Sequence, residues 1–150
     1  MATLNLSYAS GTVPQVSVQL ETANGRKTVI GQVDSGSDRS LCPLVFAEEL
    51  GLQADLVPDE KRGEPAIGGT FDLWSPKEVA IHGQIVLPDP EENDFVPWGP
   101  LFSMAPAFAD TDTLLLGQSD FFAAFDIKFL NRDGGSMLEI CECPRPPRGP

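Results

Sequence analysis

"GQVDSGSDRSLCPL", residues 31–44, sets a carboxylate, Asp34, directly behind an apolar strand and follows it with Ser35, Gly36 and Ser37. An acid at a strand end adds nothing to the strand ladder, and neighbours this small leave it open to whatever approaches. Either Asp34 is a polar cap, bonded to its own turn, or it is a reactive group. The rest of the sequence offers few other candidates for chemistry, so this choice decides the function.

Working outward, Val16, Val18 and Leu20 alternate with polar residues, the pattern of a half-buried strand. Asn24-Gly25 signals a hairpin turn, because both positions tolerate positive φ. The returning strand runs through Val29 and Ile30 to Val33 and delivers Asp34. Downstream, Pro43 suits a first helical turn, Leu44, Ala47 and Leu50 share a face, and Gly51 ends the helix. In "EPAIGGTFDLW", Gly68-Gly69 suggests a mobile hairpin tip. "EVAIHGQIVL" reads as a second hairpin turning at His82-Gly83, and residues 88–100, "PDPEENDFVPWGP", as an exposed acidic loop. "TLLLG", ending at Gly117, is a continuous apolar strand. "QSDFFAAF" has the length for a turn or two of helix, "DIKFL" returns to strand with Ile127 and Phe129 on one face, and "SMLEICE" is a last strand. No internal repeat appears. The expectation is one domain over residues 1–143 and a disordered tail over 144–150.

A chain of 150 residues suffices for one domain, which at this size buries roughly 70% of its unfolded surface. Its residues are 41% hydrophobic, yet no apolar run nears the ~20 residues of a membrane helix. The opening "MATLNLSYAS" lacks the basic start and apolar core of a secretory signal. These features predict a cytoplasmic protein with no membrane partner. A net charge of −12 argues against nucleic acid, because phosphate contacts need clustered Lys and Arg. Three cysteines, Cys42, Cys141 and Cys143, include no C-x-x-C pair; Cys141 and Cys143 on one strand would leave zinc two ligands short, and the lone His82 has no partner at ligand spacing. Reduced thiols, no metal and no cofactor are expected.

Two chemistries fail on spacing. Ser35 as a nucleophile needs a base, and only His82 is available; Val33 and Ser37 stand where a nucleophile elbow requires glycines. The run from Asp34 to Asp38 also fits the start of a calcium loop. Arg39 then falls where such a loop needs glycine, and Val45 where it needs an acid.

What remains is an Asp at a strand end, then Ser-Gly, and far downstream an apolar strand ending in Leu115-Leu116-Gly117. "VIGQVDSGSDRSLCPLVFAEELGL" resembles the active-site segment of the retropepsin-like aspartic proteases, whose signature is apolar-Asp-[Ser/Thr]-Gly-[Ala/Ser]. "TLLLGQSDFFAAFDIKF" resembles their second signature, and "AIGGT" lies between the two, where that family has its flap. The resemblance covers about residues 14–130 in the family's order. It departs at Ser35, where Thr is commoner, and at Gln118, where many relatives carry Arg or Met.

The resemblance implies an all-β fold, a retropepsin-like closed β-barrel (half of a pepsin-like fold) with one or two short helices. It implies an aspartic endopeptidase without cofactor or metal, acting on a peptide or protein substrate. Asp34, Ser35 and Gly36 would be catalytic; Ser37, Asp38, Ile67, Gly68 and Gly69 would bind substrate. Only one such Asp motif occurs in the chain: "ADTDT" lacks a following glycine and "NRDGG" lacks a preceding apolar strand. The second Asp would therefore come from a second copy, in a homodimer with the active site on its two-fold axis. The alternative is a non-catalytic peptide-binding or dimerisation module on the same fold, because holding an extended peptide needs no chemistry.

Overall fold

The computed structural model describes residues 3–8, 13–58, 72–132 and 135–142. Strands β1 (Thr3–Ser7), β2 (Gln15–Thr22), β3 (Gly25–Val33) and β4 (Leu41–Pro43) lead into a single 3-10 turn, Leu44–Ala47. Then follow β5 (Leu56–Pro58), β6 (Trp74–Pro76), β7 (Ile81–Asp89), β8 (Asp94–Met104), β9 (Ala107–Ala109) and β10 (Leu114–Leu116). One helical turn, α1 (Phe121–Ala124), precedes β11 (Phe125–Arg132) and β12 (Gly135–Glu142). Nine strands form one sheet in the order β5-β6-β9-β4-β10-β3-β2-β7-β8, and β1-β12-β11 form a second. The fold is all-β, as expected. Among the described residues no β5–β8 pair closes the larger sheet into a barrel.

Strand β10 is the centre of this arrangement. It pairs parallel to β3, Leu114 to Gly31 and Leu116 to Val33, and antiparallel to β4 through Leu115 and Leu41. Its two faces are both covered. Leu114 and Leu116 belong to the main core with Val33, Phe108 and Phe121, whereas Leu115 joins a smaller cluster of Leu41, Leu73, Ala107 and Ala109. A strand buried on both faces needs a continuous apolar run, and each of these leucines stabilises the fold by roughly 1.5–3 kcal/mol. Phe102 of β8, Phe121 of α1 and Phe125 of β11 stack edge-on or tilted with centroids 5.2–5.8 Å apart. These rings hold the short helix against the sheet.

Three expectations from the sequence need correction. The β2–β3 hairpin forms, but Thr22 pairs with Gly25, so the turn is Ala23-Asn24, and neither Asn24 nor Gly25 has positive φ. Gly25 is small for a different reason: a Cβ there would lie 2.1 Å from the Glu49 carbonyl oxygen. His82-Gly83 is not a turn. It lies inside β7, where a Cβ on Gly83 would meet the Phe102 ring at 2.7 Å and the Met104 Sδ at 2.9 Å. Residues 88–100 are not a loop either, because β7 and β8 continue into a long hairpin that pairs as far as Asp89 and Asp94. Pro97 and Pro100 are accommodated because β8 is an edge strand, with an unpaired side that needs no donors.

The predicted helix after Pro43 shortens to the 3-10 turn with Ala47 and Leu50 buried beneath it. It ends as expected at Gly51, whose φ is +68°. Gly51 N–H donates to Glu48 O and Leu52 N–H to Ala47 O, the paired bonds of a Schellman stop.

Candidate active site

Asp34 is the first residue past β3, and its N–H donates to the Leu116 carbonyl at 3.0 Å. That bond carries the parallel β3–β10 pairing one step beyond Val33. The chain then turns at once: Ser37 N–H donates to Asp34 O at 3.3 Å, and Gly36 N–H donates to the Asp34 Oδ1 at 2.9 Å. An Asp side chain caps its own turn in this way wherever the following residues are small enough to fold back. A Cβ on Gly36 would stand 3.3 Å from that same oxygen. Asp34 is half-buried, and Ser35, Gly36 and Asp38 are exposed around it.

The segment after β10 grips this loop from behind. Gly117 N–H donates to the Ser40 hydroxyl at 3.0 Å, Gln118 N–H to Ser37 O at 2.8 Å, and Ser119 N–H to Asp38 O at 2.9 Å. The Gln118 Nε2 adds a bond to the Ser35 carbonyl at 2.8 Å. The approach is so close that a Cβ on Gly117 would lie 2.5 Å from Arg39 O and 2.8 Å from Ser37 O. Glycine is required there by proximity.

Under the crossing lies a polar group that sequence reasoning missed. The Ser40 hydroxyl donates to Asp120 Oδ1, and both residues are buried. Oδ1 also accepts Phe121 N–H at 2.7 Å, and Oδ2 accepts Ala105 N–H at 3.2 Å. A buried carboxyl group that accepts three hydrogen bonds from three different segments is a fixed structural element. It caps α1 and joins the Asp34 loop to the β8–β9 connection. The signal available in sequence was Asp120 directly ahead of Phe121-Phe122, an N-cap pattern; nothing local pointed to Ser40.

The candidate residues thus divide. Asp34, Ser35, Gly36 and Asp38 come together on one open loop. Ser37 belongs to it, but its hydroxyl donates to Arg39 O and its side chain is buried. Ile67, Gly68 and Gly69 lie outside the described residues. Cys42, fully buried one strand away, has its thiol pushed up to about 12, chiefly by loss of hydration, with Lys27 offsetting part of the shift. It is inert as a nucleophile.

No family model matches the chain, and no curated protein matches it in sequence. Among solved structures, it is similar to a retropepsin-like aspartic protease from Rickettsia conorii, with 15% identity, 93% of this chain and 90% of that one covered, and a TM-score of 0.53. The chain has a retropepsin-like fold. Lower similarity extends to EIAV protease in complex with the inhibitor HBY-793, with 15% identity, 75% of this chain and 88% of that one covered, and a TM-score of 0.48. It also extends to the retroviral protease-like domain of Ddi1 from Leishmania major, with 16% identity, coverage of 89% and 97%, and a TM-score of 0.44. In this chain the β3 end and the β10–α1 crossing hold the Asp34 loop. No helix among the described residues is long and apolar enough to cross a membrane.

Proposed function

We propose that the chain is one half of an aspartic endopeptidase, acting as a homodimer with Asp34 of each copy facing the other. The observation that carries this reading is the placement of Asp34. Its carboxylate is half-exposed, accepts Gly36 N–H, and sits on a loop that the β10–α1 segment holds through five hydrogen bonds counting the Asp34 N–H to Leu116. A carboxylate serving only as a turn cap would not need its loop pinned from behind.

Peptide hydrolysis without metal or nucleophile needs one group to take a proton from water and another to protonate the carbonyl. Two carboxylates sharing a single proton supply both. Any two carboxylates brought within about 3 Å at an effective dielectric near 20 repel by roughly 5 kcal/mol, and sharing a proton relieves that repulsion. In this reading one Asp34 acts as general base and the other as general acid. The Ser35 and Gly36 backbone lines the approach, Asp38 meets the substrate main chain, and the segment of Ile67, Gly68 and Gly69 covers the bound peptide.

The test is cleavage of a peptide library between pH 4 and 7, with and without a pepstatin-type inhibitor. Wild type should cleave and be inhibited; Asp34→Asn should fold, dimerise and lose cleavage. Cleavage by Asp34→Asn at the wild-type rate would overturn the proposal. Peptide retention without cleavage by the wild type would favour the non-catalytic module instead.

A further inference from the structure

Gln118 holds the Asp34 loop in a way that fold stability alone does not require. Its side chain and the loop it touches are exposed, and a neutral exposed hydrogen bond nets only about 0.5–1.5 kcal/mol. Immobilising a Gln side chain costs up to about 1.5–2 kcal/mol of rotamer entropy, so the contact contributes little to folding. Its target explains it better.

The Ser35 carbonyl that accepts Gln118 Nε2 at 2.8 Å belongs to the Ser35–Gly36 peptide unit, and the N–H of that same unit donates to Asp34 Oδ1 at 2.9 Å. A peptide unit is planar and rigid, so fixing its carbonyl fixes the direction of its N–H. Donation to the carbonyl also polarises the amide and strengthens its N–H as a donor. Gln118, the Ser35–Gly36 peptide and the Asp34 carboxylate form one line of hydrogen bonds. The backbone N–H of Gln118, donating to Ser37 O at 2.8 Å, anchors the residue from which the side chain reaches.

We propose that Gln118 is a positioning residue that orients the Asp34 carboxylate through the Ser35–Gly36 peptide. The inference rests on the endopeptidase reading for its consequence in rate, but the line of bonds itself can be tested without activity. The amide does this with a neutral donor, which leaves the charge of the Asp34 pair to the carboxylates themselves.

Three substitutions at this exposed position separate the possibilities. Gln118→Met keeps length and removes the donor, Gln118→Glu offers the Ser35 carbonyl only an acceptor, and Gln118→Lys restores a donor. With each, kcat, KM, melting temperature and amide hydrogen exchange at Gly36 are measured. Gln118→Met and Gln118→Glu should lower kcat about tenfold, the worth of one well-placed hydrogen bond, with KM and melting temperature unchanged. The Gly36 amide should exchange faster in both, and Gln118→Lys should recover kcat and protection together. Unchanged kcat in Gln118→Met, or a fall in kcat that follows melting temperature and is not recovered by Gln118→Lys, would overturn the positioning role. If the wild type cleaves nothing, the endopeptidase reading fails by itself. Gly36 exchange then decides the relay alone: faster exchange in Gln118→Met upholds it, and equal exchange removes it.

Discussion

The wholly buried Ser40 hydroxyl donates to the Asp120 carboxylate, although 80 residues of sequence separate them. The same oxygen accepts the Gly117 N–H, so one hydroxyl serves the Asp34 loop, the end of β10 and the start of α1. Ser40→Ala strands a buried N–H and takes a donor from a buried carboxylate. Leaving that N–H unpaired costs about 1–3 kcal/mol, while Asp120 keeps its bonds from Phe121 and Ala105, so urea unfolding should show a loss in that range. A change under about 0.5 kcal/mol, the level of an ordinary surface substitution, would show that the network does not stabilise the fold.

At Gly117 the constraint is steric. An added methyl would press on Arg39 O and Ser37 O at 2.5 and 2.8 Å, both backbone atoms without freedom to swing aside. Gly117→Ala should therefore displace the Asp34 loop, cost about 1–3 kcal/mol as overpacking does elsewhere, and, in the proposed reading, remove peptidase activity from the molecules that remain folded. Denaturant unfolding and active-site titration on one sample check both. A stable and fully active Gly117→Ala protein would mean the loop tolerates a looser crossing.

Cys42 makes stability depend on alkaline pH. Its thiol ionises near 9.0 when unfolded and is raised to about 12 in the fold. Between those values the unfolded chain releases a proton that the native protein keeps, so stability falls as pH rises, by up to about 1.4 kcal/mol per pH unit. Below pH 9 both states hold the proton and the effect vanishes. Cys42→Ala removes this slope whatever it costs in packing, and the comparison of unfolding free energies from pH 8 to 11 isolates it. Parallel profiles for the two proteins would contradict the assignment.

Activity should also follow mass action. In the proposed reading a monomer would hold only half of a water-activating pair, so specific activity should fall on dilution through the dimer dissociation constant. Light scattering and cleavage rates over the same concentrations make the comparison. Constant activity from a monomeric species would end the homodimer reading.

Some of this protein is legible in a single line of sequence. The alternation of Val16, Val18 and Leu20, the apolar run Leu114–Leu116 and the stop at Gly51 are local signals, set by side-chain periodicity and by a backbone angle that glycine adopts freely. So is Asp34 behind Val33, because a polar residue flanked by Ser-Gly at a strand end is unusual without reference to anything distant. The tertiary structure decided what depends on approach between remote segments. Gly25, Gly83 and Gly117 are spaced like turn residues but are small because Glu49, Phe102 and Arg39 lie against them. Pro97 and Pro100 look like loop residues, yet an edge strand with one unpaired side accepts them. Asp120 has an N-cap pattern of its own, but its bond from Ser40 and the bond from Gln118 to Ser35 carry no local pattern, since a hydrogen-bond partner 80 or 83 residues away leaves no periodicity to read. Periodicity records which face of an element is buried; only the packed chain sets which atoms on that face meet.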